Sequence, residues 1–179
     1  MDVFRCSEFC LLATVVCLYF IKGVSSIGLS SSPNTKISLN QNWTLVNHEK
    51  NITVDKVTLP TSVHTVLLNA GIISDPYSGY NDLKLRWIIT DDNWILQKHF
   101  QLDLSNNTAS LPLINLELDA VDTVATIYLN NKFILFAKNQ FLKYEVFNLT
   151  SALRLNNESN FLQVTFKSPV NQAKSLGNS

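Results

Sequence analysis

Residues 75–100 read DPYSGYNDLKLRWIITDDNWILQKHF, and the closing part of that stretch decides the fold. From Trp94 onward the polarity alternates. Trp94, Leu96, Phe100, Leu102 and Leu104 fall on one side, while Gln97, His99, Gln101 and Asp103 fall on the other. A period of two is the signature of a strand with one buried face. Lys98 is the exception, a cation on the apolar side. The earlier part of the stretch carries other chemistry: a proline turn at Asp75-Pro76-Tyr77, the pair Asn81-Asp82, and Trp87, which with Trp94 makes two of the chain's three tryptophans. Rings beside short amides and carboxylates suit a sugar-facing surface, because sugars offer hydroxyls and flat C–H faces. They equally suit a sheet edge with aromatic core anchors, and burial is the default for such rings.

Outward from this stretch the same short-strand grammar repeats. Residues 37–46, with Trp43, read as a first strand, and residues 52–54 and 57–59 as β-branched pieces that Pro60 ends, since proline lacks the ladder's amide donor. Residues 62–70 are the helical candidate: Ser62 can cap, Val63, Val66, Leu67 and Ala70 share a face, and Gly71 suits the end. His64, near its start, reads as a hydrogen-bonded structural residue, with no second His or Cys at metal spacing. Beyond the polar turn Ser105-Asn106-Asn107-Thr108, strands are predicted at 111–118, 123–129, 132–137, 143–147 and 160–167. Asn130-Asn131 is a two-residue hairpin, because Asn tolerates positive φ. Many short strands with regular turn signals and one short helix indicate an all-β, antiparallel jelly-roll β-sandwich.

The 179-residue length suits one domain with a sizeable core. The hydrophobic share is 46% and the charged share 16%, which excludes a disordered polyelectrolyte. Lys plus Arg and Asp plus Glu are 14 each, so the chain has no general attraction for nucleic acid, and no nucleic-acid partner is expected. Cys6, Cys10 and Cys17 lie in or beside the apolar run 9–21, which is shorter than a membrane span and is followed by Gly23-Val24-Ser25-Ser26. This is the layout of a secretory signal peptide over residues 1–26. Residues 27–36 follow as a flexible leader, then a domain over 37–170 and a polar tail over 171–179. Cleavage would leave no cysteine, no membrane segment and a core held by packing alone. Asn-x-Ser/Thr sequons at Asn42, Asn51, Asn106, Asn148 and Asn157 then become candidate glycan sites in the secretory pathway.

Catalytic signatures are sparse. The sequence contains no Gly-rich phosphate loop, Gly-x-Ser-x-Gly elbow or zinc-type His or Cys pair, and no metal or cofactor is expected. Glycoside hydrolysis needs two carboxyl groups flanking one bond. Asp91-Asp92 and the set Glu117, Asp119, Asp122 are the groups to consider, but at strand ends carboxylates commonly serve as turn and solubility residues. No catalytic residue is assigned.

Taken together, the motifs resemble a family. Leu59-Pro60-Thr61-Ser62-Val63-His64, Gly71 through Asp75-Pro76-Tyr77, Asn81-Asp82, Arg86-Trp87, Asn93-Trp94 and Lys98-His99-Phe100 look like the amino-terminal domain of β-mannosidases of glycoside hydrolase family 2. Val121-Asp122-Thr123-Val124-Ala125 is similar to its V-D-T-x-A strand, Asn139-Gln140-Phe141 to its N-M-F, Val146-Phe147-Asn148-Leu149-Thr150 to its F-D-I-T, and Phe166-Lys167-Ser168-Pro169-Val170 to the strand ending S-P/A-V. The likeness covers about residues 37–174, with spacing most like the animal lysosomal branch. Thr61 for Gly, His99 for Glu, Asn131 for Gly and Gln140 for Met are departures from the pattern.

The resemblance implies a jelly-roll sugar-binding (galactose-binding-like) domain. It also implies a parent enzyme that hydrolyses terminal non-reducing β-mannosyl residues with retention, using two glutamates on a later (β/α)8 barrel. This sequence contains neither that barrel nor the Trp-Asp-Trp-Gly-Pro segment of the family, so no turnover is expected from the chain alone. Its expected partners are the barrel of the parent and, through it, a β-mannoside glycan, in the lysosome or outside the cell. Asn81, Asp82 and Trp87 are the candidates for lying near the mannose pocket, with loop hydrogen bonds and a core indole as the structural alternative. A free-standing, secreted, lectin-like sandwich that binds glycans without hydrolysis is the alternative function.

Overall fold

Alternation along the chain translates directly into two facing sheets. The structure is a computed structural model that describes residues 23–24, 26–31, 35–102 and 113–177. In chain order the strands are β1 (Gly23–Val24), β2 (Ser26–Ser31), β3 (Thr35–Ser38), β4 (Trp43–Asn47), β5 (Ile52–Val57), β6 (Thr61–Ser62), β7 (Ile95–Gln101), β8 (Ile114–Asp119), β9 (Val124–Leu129), β10 (Lys132–Ala137), β11 (Lys143–Val146) and β12 (Ser159–Lys167). Among the described residues a six-stranded sheet runs β10-β9-β12-β7-β4-β5, and a four-stranded sheet runs β11-β8-β2-β3. Every pairing in them is antiparallel. β1 and β6 form a separate two-stranded pair.

The inner faces follow the period of two. Leu45, Leu96, Ile127, Leu129, Leu162, Val164 and Phe166 from the larger sheet, and Ile27, Leu29, Ile114, Leu116 and Leu118 from the smaller, belong to one buried cluster. Lys98 keeps its place on the inner side, 8% exposed, because its Nζ reaches out to donate to the Gln41 carbonyl. Burial lowers its pKa. The apolar stem packs while the ammonium finds an acceptor.

Local signals explain the well-read elements. Ser62 Oγ accepts from Thr65 N at 3.2 Å and caps the helix Val63–Asn69, while Gly71, at φ 69°, turns the chain away after it. Asn130 and Asn131 both take positive φ, 51° and 65°, and connect β9 to β10. The Asn130 amide donates to Ala152 O and Asn160 Oδ1, and its oxygen accepts from Phe161 N. The hairpin is thereby tied to β12.

Three expectations require correction. The described residues of the expected flexible leader over 27–36 are strand: β2 lies between β8 and β3, with Ile27 and Leu29 buried. Its serine-rich composition hid two period-two anchors. Gly28 permits the pairing, since a Cβ there would sit 3.0 Å from the Ile37 carbonyl oxygen. The expected tail over 171–179 forms most of a helix, Pro169–Gly177. Proline is suited to a first helical turn, and Ser168 supplies the cap by accepting from Asn171 N at 3.1 Å. One short helix was expected, yet Asn81–Lys84 and Trp87–Thr90 are also helical. Each is a single turn, too short to show a 3.6-residue period.

The turn Ser105-Asn106-Asn107-Thr108 and residues 1–22 of the expected signal sequence lie outside the described residues. Among the described residues no helix is long and apolar enough to cross a membrane.

Ser168 is fully buried; its Oγ donates to Ile89 O at 2.7 Å while accepting from Asn171. Ser168→Ala is expected to lower unfolding stability by about 1–2 kcal/mol. Urea denaturation should show this, together with faster amide exchange along 169–177.

Candidate functional site

The segment 75–94 is a chain of small turns resting on the buried indole of Trp94 and the partly buried one of Trp87. Asp75 Oδ1 accepts from Tyr77 N at 2.9 Å, and the Asp75 carbonyl accepts from Asn81 Nδ2 at 2.9 Å. The Asn81 side chain therefore closes its own loop. Asp82 follows in the first turn of Asn81–Lys84, half-buried, with Tyr80 and Leu83 exposed beside it. Trp87 lies over Trp94, ring centroids 5.9 Å apart, and the Lys50 ammonium sits 5.0 Å from its ring centroid. Asn81 and Asp82 thus share one turn, whereas Trp87 is engaged by the core and by a cation. Neither they nor Trp87 line the cleft that Tyr77, from the same turn, helps to form.

That cleft, of about 800 Å³, opens between the start of helix Val63–Asn69 and the loops that follow β8 and β10. Thr61, Ser62, Thr65 and Leu68 form one wall, and Asp122, Gln140 and Phe141 the other. Tyr144 positions the second wall: its hydroxyl accepts from Lys138 N and Asn139 N at 3.0 and 2.9 Å and donates to Asn139 O at 3.1 Å. Asn139 Oδ1 in turn accepts from Phe141 N at 2.9 Å. The result is a fixed loop that presents Phe141 87% exposed.

Asp122 is the chemical centre of the cleft. Gln140 Nε2, in the amide orientation that satisfies both groups, donates to its two carboxylate oxygens at 2.8 and 3.1 Å. Thr123 Oγ1 donates to Oδ1 as well. Burial pushes the Asp122 carboxyl up to about 7 from the ordinary 3.8. The Asp122–Thr123 and Leu59–Pro60 peptide bonds are cis. From the sequence Asp122 reads as one of three turn carboxylates. The signal that marks it out is the Gln at position 140, where the resembling motif has Met.

The other carboxylates are occupied structurally. Glu117 takes ion pairs from Lys36 at 3.2 Å and Lys143 at 2.8 Å. Asp91 accepts from Asn47 Nδ2 at 3.1 Å and from Asn93 N at 2.9 Å, and Asp92 from Ser168 N and Asn171 Nδ2. Asp122 is the single carboxylate among the described residues lining the cleft, so that space holds no acid pair of the kind glycoside hydrolysis needs. Among the described residues no group of three or more His, Cys, Asp or Glu could hold a metal. Of the candidate glycan sites, Asn42, Asn51, Asn148 and Asn157 are exposed at positive-φ turns, and Asn106 lies outside the described residues.

Residues 43–179 match a family model described as glycosyl hydrolase 2 galactose-binding domain-like. The probable β-mannosidase of Caenorhabditis elegans is 34% identical over 161 residues, which are 89% of this chain and 17% of that protein. The β-mannosidase of Bos taurus is 38% identical over 135 residues, 75% of this chain and 14% of that one. A solved β-D-mannosidase from Dictyoglomus thermophilum is similar with a TM-score of 0.69 and 28% identity, over 84% of this chain and 17% of that chain. The chain therefore spans less than a fifth of the length of these relatives.

The raised Asp122 carboxyl makes a pH prediction. Unfolded, the group releases its proton near 3.8; folded, it holds it up to about 7. Between these values the folded state binds more protons, so the contribution of Asp122 to stability is complete at low pH and is lost as pH rises through 7. Denaturation of the natural chain and of Asp122→Asn at pH 4 and pH 8 checks this. The natural chain should lose stability relative to the variant at the higher pH.

Proposed function

This chain belongs to the galactose-binding-like domain family of glycoside hydrolase 2, in its β-mannosidase branch, and from that premise we propose that it serves as the non-catalytic amino-terminal domain of a β-mannosidase. The reaction is release of terminal non-reducing β-D-mannose from β-mannosides in glycan and glycoprotein breakdown. The observation that carries this reading is the family match over residues 43–179, joined to likeness with a solved β-D-mannosidase over 84% of the chain. A retaining hydrolase needs a nucleophile and a proton donor, which the barrel of the parent supplies.

The role of this domain is then to pack on that barrel and shape its pocket. Tyr80 and Leu83 are exposed on the turn that carries Asn81 and Asp82, and bare apolar side chains grouped on a surface suit a covered face. Asn81 and Asp82 lie beside the mannose pocket on this reading, and Trp87 holds their loop by packing against Trp94. The compartment is the secretory pathway, ending in the lysosome or outside the cell.

Two measurements test the reading. The chain alone should release no nitrophenol from 4-nitrophenyl β-D-mannopyranoside. A chimera in which it replaces the matching domain of the Bos taurus β-mannosidase should hydrolyse it, with Asn81→Ala and Asp82→Ala each raising KM by roughly tenfold. Turnover by the isolated chain overturns the proposal. Expression through a secretory pathway should further leave enzymatically removable glycan at Asn42, Asn51, Asn148 and Asn157, read by the mass change on deglycosylation.

A further inference from the structure

Among the described residues β10 pairs with β9 on one side and with no strand on the other, so its outer backbone groups have no ladder. An open edge is a template for another strand, and folded chains blunt it with ions, prolines or kinks. The other edge strands of the two sheets follow that rule. β5 carries Asp55 and Lys56, the latter at φ 58°, β3 carries Lys36, and β11 carries Lys143 and Glu145. β10 opens on Lys132 and then runs Phe133-Ile134-Leu135-Phe136-Ala137 without a charge. We propose that this edge is a homotypic interface, at which β10 of a second copy adds antiparallel across a two-fold axis and joins the two larger sheets into one.

The faces of the strand set the register. A register shift between Phe133 and Leu135 kinks its first half, so the regular part beyond makes the contact. Leu135 lies opposite Ile127 and Ala137 opposite Ala125, both buried, which points these two side chains to the core. Phe136 lies opposite Thr126 on the outer face and is 47% exposed. A two-fold centred on Phe136 sets Leu135 against Ala137 of the second copy and Phe136 against its counterpart. Directly opposed residues share a face, so apolar meets apolar on the inner side and two phenylalanines meet on the outer. Phe133 flanks them on that outer face, 61% exposed and edge-on to Tyr128.

A second copy is the occupant because an antiparallel edge is its own complement. The two-fold presents the same open ladder and the same apolar run, with no charge that needs a counter-ion. The contact is separate from barrel docking on the turn of Tyr80 and Leu83, so it stands or falls apart from that reading.

The test is sedimentation velocity of the full purified chain. At about 200 µM it should run largely as a dimer, with a dissociation constant of about 1–100 µM. Phe136→Glu and Phe133→Lys should each weaken association about tenfold or more, whereas Tyr80→Glu, on the other exposed patch, should not change it. These positions are exposed, so each variant should keep its melting midpoint within about 2 °C. Oxidation of Phe136→Cys with copper phenanthroline should join position 136 of the two copies by a disulfide, read by peptide mass spectrometry. Opposed Cα atoms in an antiparallel pair are about 4.5–5.5 Å apart, within disulfide reach. A monomer at about 200 µM overturns the proposal. So does a dimer that both phenylalanine variants leave intact, or one that forms no link between the two positions 136.

Discussion

A buried indole must place its N–H, and most of this architecture can be traced to how two of them do so. Trp94 is fully buried at the mouth of β7, and its Nε1 donates to the Ile88 carbonyl at 3.0 Å. Trp43 is equally buried and donates to the Leu39 carbonyl at 2.6 Å. Leaving such a donor unsatisfied costs about 1–3 kcal/mol, so each bond selects one path for a segment that is not itself a strand. The first bond draws the 87–90 turn over the end of the larger sheet. The second holds the chain between β3 and β4 against the same core.

The consequences spread from Trp94. With Ile88 in place, Asp91 reaches Asn47 and Lys50, and Asp92 reaches Ser168 and Asn171. The Pro169–Gly177 helix is therefore fixed beside Trp87–Thr90 by side chains about eighty residues away in sequence. Adjacent acids that read as turn formers are in fact the joint between the middle and the end of the domain. Asp122 differs from these carboxylates in lining a cleft, where Gln140 and Thr123 are its hydrogen-bond partners.

The same distinction separates this cleft from a glycosidase centre. A retaining glycosidase divides its work between two carboxyl groups about 5 Å apart, one of them with a raised pKa. Asp122 has the raised pKa but no second carboxylate among the described residues lining its cleft. Gln140 places an amide where it meets both oxygens of that half-buried acid.

Local chemistry was sufficient for a good part of the structure. The alternation from Trp94, the Ser62-capped helix, the Asn130-Asn131 hairpin and the strand 132–137 all follow from neighbours within a few residues, and the ordered motifs pointed to the family. The elements that local chemistry does not reveal depend on distant partners. β2 is a strand because β8 and β3 lie on either side, and the last helix persists because Asp92 and Ile89 hold its cap. Asn81, Asp82 and Trp87 were legible as a polar-aromatic loop, but not that Asn81 would be spent on closing it or that Trp87 would lie on Trp94. A sequence determines which side chains want burial or a partner; only the folded chain decides who meets them, because the meeting requires contacts that close long loops.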